Sequence, residues 1–412
     1  MIRTALAAAA VLAAAHPAAA QDEARVREIL RTTPLIDGHN DLPWALRGEW
    51  GNDPYRADLT RDHVDTDPLL HTDIPRLRAG GVGGQFWSVY VPASLTPQEA
   101  VQATFEQIDT VRRILAAHPD VFEWATTADD IERIHREGRV ASLVGMEGGY
   151  SINDSLGLLR EFHAAGARYM TLTHSRTTTW ADSATDAPQH GGLSLFGEAV
   201  VREMNRLGMM VDLSHVSEET MMDALRVSEA PVIFSHSSAR GVTDHPRNVP
   251  DSVLRMMPQD GGVVMVTFVP GFINEQVRAW GAARAAESAR LTSLHPGDPT
   301  SVAQGLDSWT AANAAPTAGI DDVVAHIEHV RDVAGIDHVG IGGDFDGITS
   351  LPDGMTGVDA YPPLLAALMA RGWSEADIRK LAGENILRVM RAVEAVAASK
   401  RGERPSLATI EE

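Results

Sequence analysis

The chain of 412 residues contains no cysteine. No disulfide can therefore stabilise the fold, and no thiol can act as a nucleophile or as a metal ligand. Basic residues are also scarce, because 35 Lys and Arg stand against 56 Asp and Glu, which gives a net charge of -21. A surface of this sign repels nucleic acid and anionic membranes, so we expect neither as a partner.

The sequence also lacks an internal repeat and any Pro/Ser-rich linker that would divide it into domains. We predict one domain over residues 21–412, with a polar tail from about residue 399. Residues 1–20 have the pattern of a signal peptide, with Arg3 before an apolar run and small residues before Gln21. The run is too short to span a bilayer and no lipid-anchor signal follows at the C-terminus. We therefore expect an exported, periplasmic or secreted protein without a membrane anchor.

Eight apolar segments, each predicted to be a strand, alternate with amphipathic helical segments. The predicted strands lie at 34–41, 81–91, 140–146, 169–173, 209–214, 231–235, 261–268 and 338–347. Near-continuous apolar runs suit parallel strands buried on both faces, and the count of eight predicts an α/β fold, a (β/α)8 barrel. Helices at about 359–371 and 374–397 close the chain, and 271–320 is an insertion after the seventh strand. An open doubly wound sheet is the competing fold, but no Gly-x-Gly-x-x-Gly turn follows the first strand.

Ionisable side chains stand at the ends of six of the eight predicted strands. They are His39, Asp41, Glu147, His174, His215, His236 and Asp344. In a (β/α)8 barrel these positions meet at the C-terminal mouth, and unpaired buried charges are too costly for packing alone to explain them. We therefore predict a metal-dependent active site. By contrast, His326 and His329 lie on a predicted outer helix, where we expect them to face solvent.

The number of groups suggests two metal ions. One ion would bind His39, Asp41 and one oxygen of Glu147, and the second would bind the other oxygen of Glu147 with His215 and His236. A carboxylate between two cations suits hydrolytic sites in which a hydroxide is held between the metals. Imidazole and carboxylate ligands favour zinc, with manganese or iron as alternatives.

The order of these motifs resembles the renal or membrane dipeptidase family of zinc peptidases. The matching segments are Ile36-Asp-Gly-His-Asn-Asp-Leu-Pro-Trp44, Gly84-Gln-Phe-Trp-Ser-Val-Tyr90, Met146-Glu-Gly-Gly149, Tyr169-Met-Thr-Leu-Thr-His174, Trp180-Ala-Asp182, Leu213-Ser-His215, Val232-Ile-Phe-Ser-His-Ser-Ser-Ala239, Arg247-Asn-Val-Pro-Asp251, Gly343-Asp-Phe-Asp-Gly347 and Gly383-Glu-Asn-Ile-Leu-Arg-Val389. They span nearly the whole chain after residue 20, and the family has an amidohydrolase-type barrel, as the strand count also predicts.

The resemblance implies a role for each site residue. The implied metal ligands are His39, Asp41, Glu147, His215 and His236, the implied substrate contacts are His174, Arg247 and Asp344, and the implied catalytic groups are Asp344, His174 and Glu147. The chemistry agrees, because Arg247 can pair bidentately with the free carboxylate of a dipeptide. His174 can donate to the carbonyl oxygen as it becomes an oxyanion, and Asp344 can pass a proton from water to the leaving amine.

The sequence therefore predicts a dipeptidase with two zinc ions per chain that acts on L,L-dipeptides and, by resemblance, on L,D-dipeptides. One alternative is hydrolysis of N-acyl amino acids or other small amides on the same barrel. An alternative from another class is a small-ligand binding protein without catalysis. Thr177, Thr178 and Thr179 depart from the family pattern, as does Tyr150, so the side-chain preference stays open. A homodimer is expected from the family alone.

Overall fold

The structure, a computed structural model, describes residues 17–410. Its strands are β1 (Leu35–Asn40), β2 (Val82–Ser88), β3 (Phe122–Trp124), β4 (Val140–Glu147), β5 (Ala167–Thr171), β6 (Met210–Asp212), β7 (Ile233–Phe234), β8 (Val263–Val266) and β9 (Val339–Ile341). They form one parallel sheet in the order β2-β1-β9-β8-β7-β6-β5-β4-β3, and β2 pairs in addition with β4. This last pairing closes eight strands into a barrel, so the predicted (β/α)8 fold is confirmed.

The short strand β3 is the one that the sequence did not predict. It pairs with Val140–Ser142, the first half of β4, whereas β5 pairs with the second half, Val144–Glu147. Its three residues, Phe-Glu-Trp, are too few to show a period along the sequence. Because it shares one edge of β4 with β5, it lies beside the barrel and leaves the number of barrel strands at eight.

Helices surround this barrel. They are α1 (Pro17–Leu30), α2 (Leu42–Trp50), α3 (Pro54–Ala57), α4 (Ile74–Gly80), α5 (Pro97–Ala117), α6 (Ala128–Arg136), α7 (Leu156–Ala165), α8 (Leu195–Leu207), α9 (Glu218–Val227), α10 (Asp251–Leu254), α11 (Met257–Asp260), α12 (Pro270–Ile273), α13 (Glu275–Leu294), α14 (Pro299–Ala312), α15 (Ile320–Ala334), α16 (Tyr361–Ala370), α17 (Glu375–Arg379) and α18 (Asn385–Ser399). The side chains of Ser194 and Ser217 cap the N-termini of α8 and α9. A π-helical turn over Lys380–Glu384 joins α17 to α18, where the sequence predicts one continuous helix.

The predicted signal peptide falls mostly on residues 1–16, which lie outside the described residues. Helix α1 begins at Pro17 and continues past the predicted cleavage point after Ala20. Between residues 17 and 410, no helix is both long and apolar enough to cross a membrane. The predicted insertion contains α12, α13 and α14, and the rings of Trp280 and Trp309 approach to 6.0 Å between α13 and α14.

Asp37 joins β1 to the loop after β9. Its Oδ1 accepts hydrogen bonds from the backbone N–H groups of His39 at 3.2 Å and Gly343 at 2.8 Å. Its Oδ2 accepts from Gln85 Nε2 at 3.0 Å and from the Tyr361 hydroxyl at 2.7 Å. The side chain is fully buried, and burial raises the pKa of Asp37 although these donors oppose the rise. The carboxylate therefore holds together two strand ends that carry predicted site residues.

Replacing Asp37 by Asn is expected to lower the free energy of unfolding by about 3 kcal/mol. The amide group of Asn would place N–H donors against the groups that now donate to the carboxylate of Asp37. The urea midpoint of the metal-stripped protein measures this change. Asp332→Asn is the matched control, since Asp332 is 64% exposed and pairs with Arg331 at the surface. Equal midpoints for the two variants would contradict a structural role for Asp37.

Candidate active site

The predicted site residues converge at the C-terminal end of the barrel. Seven of them line a cavity of about 430 Å³, namely Asp41, Glu147, His174, His215, His236, Arg247 and Asp344. The eighth, His39, lies directly behind this cavity, with its Nε2 3.5 Å from Oε2 of Glu147. The volume is within the usual range for a small-molecule site, and its lining carries every ionisable group that the sequence placed at a strand end except His39.

Glu147, at the end of β4, is the centre of the site. Its Oε1 lies 3.0 Å from His215 Nε2, 3.3 Å from His236 Nε2 and 3.7 Å from His174 Nε2. Burial opposes ionisation of this carboxyl, but the imidazoles, His39 foremost, hold its pKa well below the ordinary value. Glu147 is therefore a buried carboxylate with imidazole nitrogens facing both of its oxygens.

The ring of His39 is held in one tautomer. Its Nδ1 lies 2.9 Å from the hydroxyl of Tyr169, and this hydroxyl donates to the carbonyl oxygen of Gly38 at 3.1 Å. The hydroxyl must therefore accept from Nδ1–H of His39, which leaves the lone pair on Nε2. Gly145 makes room for Tyr169, because a Cβ at residue 145 would lie 2.0 Å from the ring.

The lone pair on Nε2 of His39 favours a cation beside this nitrogen. In the described part of the chain, the buried Nε2 has no hydrogen-bond partner, and Asp41 Oδ2 lies 3.2 Å away. Burial disfavours a charge on the ring, but its surroundings, which include Glu147 and Asp41, raise the pKa of His39 well above its ordinary value. A positive charge at this nitrogen is therefore stabilised, as in a metal site whose imidazole is oriented from behind.

His236 is oriented in the same way by a chain of hydroxyl and carboxylate groups. Its Nδ1 lies 2.8 Å from Ser235 Oγ, which donates to Asp212 Oδ2 at 2.6 Å. Thr171 Oγ1 donates to the same oxygen of Asp212 at 2.5 Å. Ser235 must accept from Nδ1–H, so the lone pair of His236 lies on Nε2, 2.9 Å from His215 Nε2.

The nitrogens of His215 and His236 form a second place for a cation. Burial lowers the pKa of both rings well below the ordinary value, so both imidazoles are neutral. Neutral imidazole is the form that binds a metal. His215 reaches this position through a left-handed backbone, with φ of 70°, a conformation that for a non-glycine residue stores strain and is often found at functional sites.

Three groups of side chains bring their ligand atoms within 4.8 Å of one another. They are His39 with Glu147 and His236, Glu147 with His174 and His215, and His39 with Asp41 and Asp344. All five predicted metal ligands belong to these groups, and the groups also include His174 and Asp344. Bare imidazole nitrogens beside carboxylates fit divalent transition metals, so the residues present fit the predicted kind of site.

Asp344 follows β9 on a backbone with φ of 64°. Burial raises the pKa of its carboxyl well above the ordinary value, and the negative charges of Asp41 and Glu147 act in the same direction. A Cβ at Gly347 would lie 2.3 Å from Asp41 Oδ2 and 2.6 Å from Asp344 Oδ1, so a side chain there would displace one or both carboxylates. Asp344 can thus hold a proton in the cavity, as a general acid requires.

Arg247 is a buried cation in the lining of the same cavity. It is 3% exposed, and burial lowers its pKa to about 10. Its contacts with Ser237 Oγ and the His236 carbonyl oxygen are long, at 3.4 Å each. Over residues 17–410, its Nε has no hydrogen-bond partner. A guanidinium in this state has donors to offer an anion that enters the cavity.

His174 lies at the mouth of the cavity. Its ring centroid is 4.9 Å from that of Tyr90 and 4.2 Å from that of His215. Burial lowers its pKa, although the charge of Glu147 opposes this. A neutral ring that faces the cavity can donate one N–H group to a bound ligand.

A profile of the membrane dipeptidase family, peptidase family M19, matches residues 23–404. The chain belongs to this family. It is therefore a metallo-dipeptidase, a hydrolase that acts on peptide bonds, and the resemblance seen in its motifs is confirmed.

Solved structures of similar proteins agree with this assignment. The probable dipeptidase PvdM from Pseudomonas aeruginosa is 26% identical with a TM-score of 0.79, covering 93% of this chain and 100% of its own. Dipeptidase AC, a metallopeptidase of family M19, is 29% identical with a TM-score of 0.71, covering 88% of this chain and 99% of its own. A metallopeptidase from Rhodobacter sphaeroides, bound to a phosphinate mimic of L-Ala-D-Ala, is 28% identical with a TM-score of 0.72, covering the same shares of the two chains.

The wall of the dipeptidase's cavity contains apolar residues that the sequence analysis missed. They are Trp44, Tyr90, Val269, Phe272 and Ile348. Trp44 and Tyr90 make an edge-to-face contact with centroids 4.9 Å apart. Both residues come just after a barrel strand, as the ionisable residues do, and this position is the signal that could have identified them.

Proposed function

We propose that the enzyme hydrolyses the single peptide bond of dipeptides with a free C-terminal carboxylate, using two divalent cations, with zinc as the native metal. The observation that carries this proposal is the buried guanidinium of Arg247, with unused donors, in the same cavity as an imidazole and carboxylate cluster. A guanidinium that binds the C-terminal carboxylate of the substrate lies in one small cavity with the hydrolytic centre. The substrate that fits both is a very short peptide.

In this proposal, His39 and Asp41 would hold one ion, His215 and His236 would hold the other, and Glu147 would contribute a carboxylate oxygen to each. The bare Nε2 of His39 and the paired Nε2 atoms of the two other histidines support this assignment. When bound, such ions would lower the pKa of a water toward neutrality, so that its proton can pass to a carboxylate, and would polarise the scissile carbonyl.

The protein's own groups do the rest. Arg247 pairs with the substrate carboxylate and so fixes the scissile bond above Glu147. His174 donates a hydrogen bond to the carbonyl oxygen as negative charge develops on it. Asp344 accepts a proton from the attacking water and delivers it to the amide nitrogen as the carbon–nitrogen bond breaks.

L,D-dipeptides belong to the proposed substrates. The relative from Rhodobacter sphaeroides binds a mimic of L-Ala-D-Ala, and the strand-end residues that surround the cavity follow the same family motifs. The apolar wall formed by Trp44, Val269 and Ile348 offers no charge to a side chain, so we expect neutral dipeptides to be preferred over acidic or basic ones.

Amino-acid release from L,L- and L,D-dipeptides tests the proposal, with matched N-acyl amino acids and with metal-loaded and chelated protein side by side. We expect release from dipeptides that chelation abolishes and that zinc restores. Release from N-acyl amino acids alone would favour the alternative amidohydrolase. Binding of dipeptides without turnover, whether or not metal is present, would favour a binding protein.

We also propose that residues 1–20 direct export to the periplasm or beyond and are then removed, which leaves residues 21–412 as one catalytic domain. Arg3, the apolar run and the small residues before Gln21 support this. Determining the N-terminal residue of the exported protein tests this proposal, which expects Gln21. The expectation of a homodimer rests on the family alone.

A further inference from the structure

His326 on the outer helix α15 does not face solvent, so the prediction for this residue was wrong. Its side chain is fully buried. The backbone N–H of Ala239 donates to its Nδ1 at 2.9 Å, so the ring proton lies on Nε2, which donates to the carbonyl oxygen of Ile273 at 3.1 Å. The ring therefore joins two backbone segments in a single tautomer.

The first of these segments is the base of the loop that carries Arg247. Ala239 forms a bridge with Val249, and the N–H of Val249 donates to the carbonyl oxygen of Ser238 at 2.8 Å. The residues between this pair form a closed loop after β7. Arg247 lies two residues before Val249, so a shift of the base moves the guanidinium.

The second segment is α12, at the start of the insertion. Ile273 is its last residue, and the preceding residue, Phe272, lines the cavity. The Arg247 guanidinium carbon lies 5.4 Å from the ring centroid of Phe272, which stacks on His245 at 4.3 Å. Because the guanidinium rests on this ring, the position of α12 also sets the position of the cation.

A second side chain also links the two segments. Nδ2 of Asn248 donates to the carbonyl oxygens of Thr243 at 2.9 Å and Phe272 at 2.7 Å. Asn248 and His326 thus join the loop to α12 at two points. The guanidinium of Arg247 makes only long hydrogen bonds of its own. The framework formed by Asn248 and His326 therefore determines where its donors point.

We propose that His326 is a positioning residue for Arg247, and that helix α15 acts through it on the recognition of the substrate carboxylate. His326 touches neither the cavity nor any predicted metal ligand. The inference rests on the proposed function insofar as Arg247 binds a carboxylate. It assigns a part in substrate binding to a residue outside the cavity.

The test compares a dipeptide with the same dipeptide carrying a C-terminal amide, in wild type and in His326→Leu. We expect KM for the dipeptide to rise about tenfold with kcat changed less than about twofold, because displacement of a binding group by a fraction of an ångström weakens binding strongly. For the amide, which lacks the carboxylate, kcat/KM should not change. If His326 had a purely structural role, His326→Leu would lower kcat/KM for both substrates alike, and this result would overturn the proposal.

Conservative variants separate the two links. His326→Asn keeps an acceptor near the position of Nδ1, and His326→Gln keeps a donor near that of Nε2, so each should show part of the rise in KM. They also decide the question if His326→Leu does not fold. Glu328→Gln is the matched control, because Glu328 lies on the same helix and pairs with Arg371 at the surface. An effect of this control as large as that of His326→Gln would overturn the proposal.

Amide hydrogen exchange gives a readout that does not depend on activity. His326→Leu should accelerate exchange at residues 239–249 and 270–274 and leave β4 and β5 unchanged. If wild type released no amino acid from dipeptides, the proposed function would fail, and exchange would still decide whether His326 holds the loop. Unchanged exchange in that loop would overturn the inference even in an active dipeptidase.

Discussion

Replacing Asp344 by Asn should lower kcat for dipeptide hydrolysis by about three to four powers of ten, the upper part of the range for general acid–base catalysis. The amide cannot take a proton from the attacking water or return one to the leaving nitrogen. Burial and neighbouring negative charge raise the pKa of Asp344, so its carboxyl holds a proton readily, and Asn preserves its size. Steady-state kinetics on one neutral dipeptide measure the change.

The metal content of Asp344→Asn distinguishes a loss of proton transfer from the loss of a metal ligand. Asp344 also forms a group with His39 and Asp41 whose ligand atoms lie within 4.8 Å of one another, so it could bind an ion. If Asp344→Asn retained both ions, the loss would be that of proton transfer. If it lost one, Asp344 would be a ligand and the proposed role would be wrong.

Asp346→Asn is the matched control for this variant. Asp346 is half-buried and follows Asp344 by two residues, but its Oδ1 accepts from the backbone N–H of His71 at 2.7 Å. Burial raises its pKa to about 7, the same direction of shift as for Asp344. We expect the activity of Asp346→Asn to fall less than about tenfold. A loss as large as that of Asp344→Asn would mean that loop geometry, and not proton transfer, explains both variants.

The positions of the predicted ligands could be read from the sequence because a barrel brings all strand ends together. Glu147 ends β4, and His215 and His236 follow β6 and β7 within a few residues. This inference needs the strand count and the polarity of the next residue, and it survives errors in strand length. The predicted strands at 209–214 and 231–235 shrink to Met210–Asp212 and Ile233–Phe234 without moving the histidines.

Contacts between distant segments could not be predicted in this way. The helical period of α15 shows which positions share a face, but not that His326 meets a loop after β7 and the end of α12. Likewise, nothing local indicates that Tyr169 orients His39, or that Asp212 acts on His236 through Ser235. Spacing did not identify Arg247 as a site residue, and only the family resemblance did.

Replacing Glu147 by Gln should weaken binding of both metal ions by at least about 100-fold, more than the loss of an indirect partner causes. Glu147 faces imidazole nitrogens with both oxygens, and the neighbouring histidines hold its pKa well below the ordinary value, so we expect it to act as a charged ligand to the ions that bind there. A neutral amide of the same size cannot bridge two cations. Since bound metal supplies several kcal/mol of transition-state stabilisation, kcat should fall by three or more powers of ten.

Competition titration with a chelator measures the affinities, and kinetics at saturating zinc separate weak binding from lost chemistry. Glu203→Gln is the control, because Glu203 is 2% exposed and accepts from Arg160 and Arg206 outside the cavity. It should lose stability yet keep both ions, which distinguishes the loss of a buried charge from the loss of a ligand. If Glu147→Gln bound two ions as tightly as Glu203→Gln, the bridging role would be wrong. Retention of one ion alone would mean that one ligand pair, either His39 with Asp41 or His215 with His236, binds without help from Glu147, whereas the other pair depends on the carboxylate.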